Sequence, residues 1–294
     1  MSNIVQSRVV DFGRQRWTRE GLLYRPARRL NPVRPDQWYR CRCKGACNWP
    51  LWKWNEAIQQ FVAAIAVTAK GKGTVDSGNL TIASIAIAEG ASVFVSVIQN
   101  TTPTATCTVT WNGISLTSNK SITYLTHNKI WLFTLHGVTG ATGSVVVTPA
   151  NSYELSATVS QVTGLAASPV DQSASASGRS TTPSSGASDT TTQADELLFG
   201  VVGNDIATDP GGTWDDSFVA LQGQGGSSSR YVRDAYKVVS ATAAYTASIT
   251  GDTKDYWTAL IVTYKAATAY VEAFSGINLG MNRGIARSMP TQRP

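Results

Sequence analysis

The chain has 294 residues, 42% of them hydrophobic and 15% charged, with a net charge of +6 at pH 7. That balance excludes a wholly disordered chain and supplies enough apolar material for one large β-domain or two smaller ones. Residues 1–60 nevertheless hold 12 of the 25 Lys and Arg, three of the four Cys and five of the nine Trp; their net charge is +8, and that of the remainder is −2.

Taken in order, residues 1–36 interleave charge, aromatics and prolines. Pro26, Pro32 and Pro35 prevent a continuous helix and favour an extended course. The opening MSNIVQSRVVDFGRQRW has charges where a signal peptide needs an apolar core, so no Sec-type leader is expected. Arg14, Arg16, Trp17, Arg19, Tyr24, Arg25, Arg28 and Arg29 form the basic, aromatic part of an anchoring arm. Arginines of this kind track phosphates, but Arg and Trp also dominate the energetic centres of protein interfaces. Docking on protein is the favoured reading, and nucleic acid is not the expected partner.

Residues 37–54 carry two aromatic runs around Lys44-Gly45, a pattern for a short β-hairpin presenting Trp38, Trp49, Trp52 and Trp54. Cys41, Cys43 and Cys47 lie in it. Zinc wants four ligands, and no fourth Cys or His is near. Zinc, a disulfide such as Cys43–Cys47, a link to a neighbouring subunit and plain thiols all stay open.

From Phe61 the pattern is strand after strand: 61–69, 79–88, 91–99, 105–111, 129–136, 143–150 and a longer run over 152–165. The uncharged stretch Ile130–Tyr153 contains Gly137, Gly140, Gly143 and Pro149, so it reads as strands and turns rather than a membrane span. Residues 166–193, rich in Ser and Thr, are expected to form an exposed low-complexity loop. Strands resume at 196–203, 218–223, 229–240, 244–250 and 257–266, and the last should be central in its sheet. About a dozen strands without a long helix predict an all-β sandwich. The expected organisation is an arm over 1–60, a β-domain over 61–267 and an irregular tail over 268–294.

Candidate chemistry is sparse. Asp205, Asp209, Asp215 and Asp216 cluster in NDIATDPGGTWDD, where oxygen ligands for calcium or ordinary turn residues both fit. Trp214 in the same loop is expected to be exposed and is the aromatic to consider for sugar stacking, with loop packing as the simpler role. Trp111, Trp131 and Cys107 read as core. His127 and His136 have no nucleophile motif nearby, and GQGGSSS (223–229) is a flexible turn without a following helix. No catalytic residue, confident metal site or cofactor is expected.

Several turn and core signatures recur together: Val109-Thr110-Trp111-Asn112-Gly113-Ile114-Ser115-Leu116-Thr117, Trp131-Leu132-Phe133, Gly137-Val138-Thr139-Gly140, Val162–Gly164 with Asp171, Asp195-Glu196, and the closing WTALIVTYK. In that order they resemble a jelly-roll-type sandwich of bacteriophage virion proteins and some bacterial surface proteins. The resemblance covers about two-thirds of the chain. It implies a non-enzymatic virion structural protein in a decoration, fibre or neck role. Its partners would be major capsid, neck or tail subunits, and a trimer is the implied assembly. A glycan-binding adhesin or tail-fibre receptor-binding module is the alternative.

Overall fold

The computed structural model describes residues 64–100, 106–227, 230–253 and 256–268. By its internal contacts the chain divides into units 1–50 and 51–294, and every described residue belongs to the second. The hairpin expected around Lys44-Gly45 and the tail from 269 onward lie outside the described residues.

The described residues are all-β, with sixteen strands and no helix. The strands are β1 (Ala66–Val75), β2 (Leu80–Ile87), β3 (Ser92–Asn100), β4 (Cys107–Trp111), β5 (Ile114–Ser115), β6 (Thr117–Tyr124), β7 (Asn128–Leu135) and β8 (Ala141–Pro149). They continue with β9 (Leu155–Thr163), β10 (Leu165–Arg179), β11 (Asp195–Asn204), β12 (Thr213–Trp214), β13 (Val219–Gly225), β14 (Tyr231–Ser240), β15 (Ile249–Thr250) and β16 (Tyr256–Ala266). Three larger antiparallel sheets result. Their strand orders are β2-β8-β4-β5, β1-β9-β3-β7-β6 and β10-β16-β11-β14-β13, and β12-β15 forms a small fourth pair.

The sheets stack in layers, and the reason is written in β3. Its SVFVSVIQN sequence is buried along nearly its whole length, as expected for a strand covered on both faces. Val93, Val95 and Val97 pack with Leu80, Ile82, Val109, Trp111 and Val145, filling the space against the β2-β8-β4-β5 sheet. Phe94 and Ile98 point the other way and join Leu197, Phe199, Val201, Leu260 and Tyr264 against the β10–β13 sheet. The far side of that last sheet presents Leu198, Ala235 and Ile261, which are covered by Phe218 and Ala247.

Local signals explain the tight turns. Trp111-Asn112-Gly113-Ile114 closes β4 onto β5 with φ of 52° at Asn112 and 81° at Gly113, and Trp111 pairs with Ile114. A type I′ two-residue hairpin needs positive φ at both central positions, which Asn-Gly supplies at little cost.

The expected loop over 166–193 is not one. Residues 165–179 form β10, paired along β16, and residues 180–193 run as an ordered strap against 241–252. Ser185, Ser188 and Thr191 are buried at every third position. Their amides donate to the carbonyls of Ala247, Tyr245 and Ala243. Their hydroxyls accept from the amides of the same three residues, at 3.0, 3.1 and 3.3 Å. Hydroxyl oxygens thus stand in for backbone carbonyls, so a segment without large apolar residues still satisfies its buried polar groups. The same pairing corrects the strand expected over 244–250, of which only Ile249–Thr250 is a strand.

Candidate functional site at one end of the layers

One end of the stacked sheets gathers the turn between β6 and β7, the Tyr153-Glu154 approach to β9, the start of the β11–β12 loop and the entry to β16. The β6–β7 turn is three residues long, closed by His127 N–H donating to Tyr124 O at 2.9 Å. Leu125 at its tip has φ of 47° and is 64% exposed. A leucine in the left-handed region, presented to solvent, is costly on both counts and marks a position worth functional attention.

Behind the tip three rings lie close. His127 and Tyr256 stack with centroids 4.8 Å apart and 15° between planes. Tyr124 sits 5.8 Å from each of them. The Arg179 guanidinium lies over the Tyr256 ring at 5.0 Å, a cation–π arrangement. All three rings are half-buried and Arg179 is exposed, so together they form an aromatic ledge with a cationic rim.

Polar groups fix the ledge from beneath. Asp205 Oδ2 lies 3.3 Å from His127 Nδ1, and Asp205 Oδ1 accepts from Arg230 Nη1. Arg230 Nη2 donates to His127 O at 2.7 Å, tying the turn to the neighbouring sheet. Arg230 is 2% exposed. Burial pulls its pKa down, while the Asp205 and Glu154 charges oppose that fall.

A second polar knot lies beside the first. Arg233 Nη2 donates to Asp252 Oδ2 at 2.6 Å, and Arg233 Nη1 donates to Gly211 O. Asn204 Nδ2 also reaches Asp252 Oδ2, at 2.9 Å. Asp209 stands 3.7 Å from Arg233 Nη1. A small cleft of about 200 Å³ opens here, lined by Asp209, Trp214, Gln222, Tyr231 and Arg233. Burial pushes the Tyr231 hydroxyl up to about 12, with the Asp209 charge adding to the rise.

The four acids of the NDIATDPGGTWDD loop are therefore parted rather than gathered. Asp205 serves His127 and Arg230, and Asp209 accepts from Gly211 N–H at 2.9 Å. Asp215 accepts from Ser248 and Thr250 hydroxyls at 2.8 and 3.1 Å, and Asp216 pairs with Lys237 at 2.9 Å. Among the described residues no three His, Cys, Asp or Glu side chains come together as a metal-binding group. Trp214 is half-buried, stacked on Phe218 at 6.0 Å, which corrects the exposed position expected for it. Asp209 and Trp214 do meet, as two walls of the cleft.

Cys107 is partly buried against the first core, and burial pushes its thiol up to about 12. The arm residues Arg14, Arg16, Trp17, Arg19, Tyr24, Arg25, Arg28, Arg29, Trp38, Trp49, Trp52 and Trp54 lie outside the described residues, as do Cys41, Cys43 and Cys47. Tyr124, His127, Arg179 and Tyr256 are distributed over more than 130 positions of sequence, so only the fold unites them. No family model, curated protein or solved structure matches this chain. The functional reading therefore comes from its own residues.

Proposed function

We propose that this chain is a non-enzymatic structural protein of a bacteriophage particle, with its basic segment docked on a capsid, neck or tail subunit and its β-layers displayed outward. The observation that carries the reading is the partition of the sequence. The cationic charge and most of the tryptophans are concentrated in residues 1–60, while the rest is near neutral and folds around its own cores. Arg and Trp are the side chains that contribute most where protein surfaces lock together. Strand order adds support. Setting β6 aside, β1-β9-β3-β7 facing β2-β8-β4-β5 is the nested order of a jelly roll, a sandwich common in virion proteins. Fold alone does not assign function, so the partition remains the stronger argument.

Deleting residues 1–60 tests the reading. The truncated chain should stay soluble and β-rich but fail to enter particles assembled in the host. Unchanged incorporation would refute anchoring through this segment, and absence of the full chain from purified particles would refute the virion role.

A second reading, glycan binding, is favoured by one specific observation: the Tyr124–His127–Tyr256 ledge with Arg179 and Asp205 at its margin. Half-exposed rings beside fixed polar groups suit a sugar, whose ring has apolar faces and a rim of hydroxyls. On a glycan array the full chain should bind, and Tyr256→Ala should lose that signal while Trp214→Phe keeps it. An array without binding would remove this reading and leave the first untouched.

A further inference from the structure

Three reactive groups on three adjacent strands meet under the end of the strap. Glu196 opens β11 and is the cross-strand partner of Lys265 on β16. Asp171 lies on β10 where the register with β16 slips between Val170 and Ser173. Such irregularities re-aim a side chain. The Asp171 carboxyl is 4% exposed and places Oδ1 3.3 Å from Lys265 Nζ. Thr192 from the strap grips both carboxyl oxygens: its amide donates to Oδ2 at 2.6 Å and its hydroxyl to Oδ1 at 2.7 Å.

An ion pair between Lys265 and Asp171 would account for two of the groups but not for Glu196. That carboxyl is fully buried, and the Asp171 charge beside it adds to the rise of its pKa. Its Oε1 accepts from Gln193 N–H at 3.3 Å, and Oε2 is buried without a well-formed hydrogen bond among the described residues. Burying a second acid against the first destabilises a simple salt bridge. It does suit a proton carrier. Burial pushes Glu196 up to about 7, against a weaker pull from Thr263, so it holds or yields a proton near neutrality. Asp171 is driven the other way: burial raises its pKa, but the Thr192 amide and hydroxyl, Glu196 and Lys265 together bring it down to about 2.

We propose that Lys265 and Asp171 condense into an intramolecular amide cross-link, with Glu196 carrying the protons. From the ion pair, one proton passes from the Lys265 ammonium by way of Glu196 to the Asp171 carboxylate. This leaves a neutral amine beside a neutral acid. Nζ attacks Cγ, and the Thr192 amide stabilises the charge that grows on Oδ2. The bond from Cγ to Oδ1 breaks as Glu196 takes a proton from nitrogen and delivers it to the departing oxygen. One amide and one water result, Glu196 ends as it began, and no oxidant, reductant or external donor is consumed. Fixed proximity of amine and carboxyl replaces the activation a free condensation needs. The product would bind the edge strand β10 covalently to β16 and so fasten the margin of that sheet.

The test is the mass of the full chain expressed alone. It should fall about 18 Da, one water, below the mass of its sequence. Trypsin should fail to cut after Lys265 and should release a branched peptide joining residues 130–179 to 255–283. Lys265→Ala and Asp171→Ala should abolish the loss, and Glu196→Gln should abolish or greatly slow it. A wild-type chain at full mass, cleaved normally after Lys265, would overturn the proposal without recourse to any variant. So would a dehydrated Asp171 found in a linear peptide, which would mark a cyclic imide instead.

Discussion

Asp234 shows how a single residue sets the conditions under which the layers hold together. It is 1% exposed and sits between the second and third sheets, among the small polar side chains of β3 and β9. Thr158 Oγ1 donates to Oδ2 at 2.8 Å, Ser96 Oγ approaches the same oxygen at 3.4 Å, and Gln222 N–H donates to Oδ1 at 3.2 Å. Burial still wins over these bonds and pushes the carboxyl up to about 7 from an ordinary 3.8. A carboxyl raised on folding contributes stability that is fully present below the unfolded value of 3.8 and is lost as pH rises through about 7. Three pH units correspond to on the order of 4 kcal/mol. Glu196 is shifted in the same sense. His136 is shifted oppositely: burial lowers its pKa, so its contribution is lost as pH falls below the ordinary 6.5. Thermal melts of wild type and Asp234→Asn from pH 4 to 8 separate these effects. The wild-type stability relative to Asp234→Asn should fall as pH rises from 4 to about 7 and level off by pH 8, while a difference independent of pH would show that Asp234 does not titrate with folding.

At the scale of elements, legibility followed side-chain periodicity. Strands with one or two apolar faces were readable: 91–99 corresponds to β3, 129–136 to β7, 196–203 to β11 and 257–266 to β16, the last paired on both edges as expected. The strand β6, TSNKSITY, was missed because it is an edge strand with mostly polar and half-exposed side chains. The strap was missed for a different physical reason. Its order comes from Ser185, Ser188 and Thr191 completing hydrogen bonds at a period of three, which neither helical nor strand periodicity detects. The Arg230–Asp205–His127 knot and the Lys265–Asp171–Glu196 group were invisible because each joins segments brought together only by sheet pairing. The two-residue turn at Asn112-Gly113 was plain because its chemistry is local.

For the whole molecule, the layering decides how it unfolds. The β1-β9-β3-β7-β6 sheet belongs to two cores at once, and neither can form without it. If β10–β16 came away, Phe94, Ile98, Ile130, Leu132 and Val162 would lose their cover, although all are at most 1% exposed in the fold. Each large apolar side chain contributes about 1.5–3 kcal/mol on burial, so five approach the entire stability of an ordinary domain. The two halves should therefore unfold as one unit despite spanning three large sheets. Amide exchange of the full chain in increasing sub-denaturing urea examines this directly. Amides of β3 and β9 should lose protection along the same free-energy line as those of β11 and β16. The amides of Ala243, Tyr245 and Ala247, which donate to strap hydroxyls, and those of the β6–β7 turn at a sheet edge should open earlier. Two separate lines, with β11 and β16 releasing while β3 stays protected, would mean that the middle sheet tolerates an uncovered apolar face, and the half built from β1 to β9 would then be a domain in its own right.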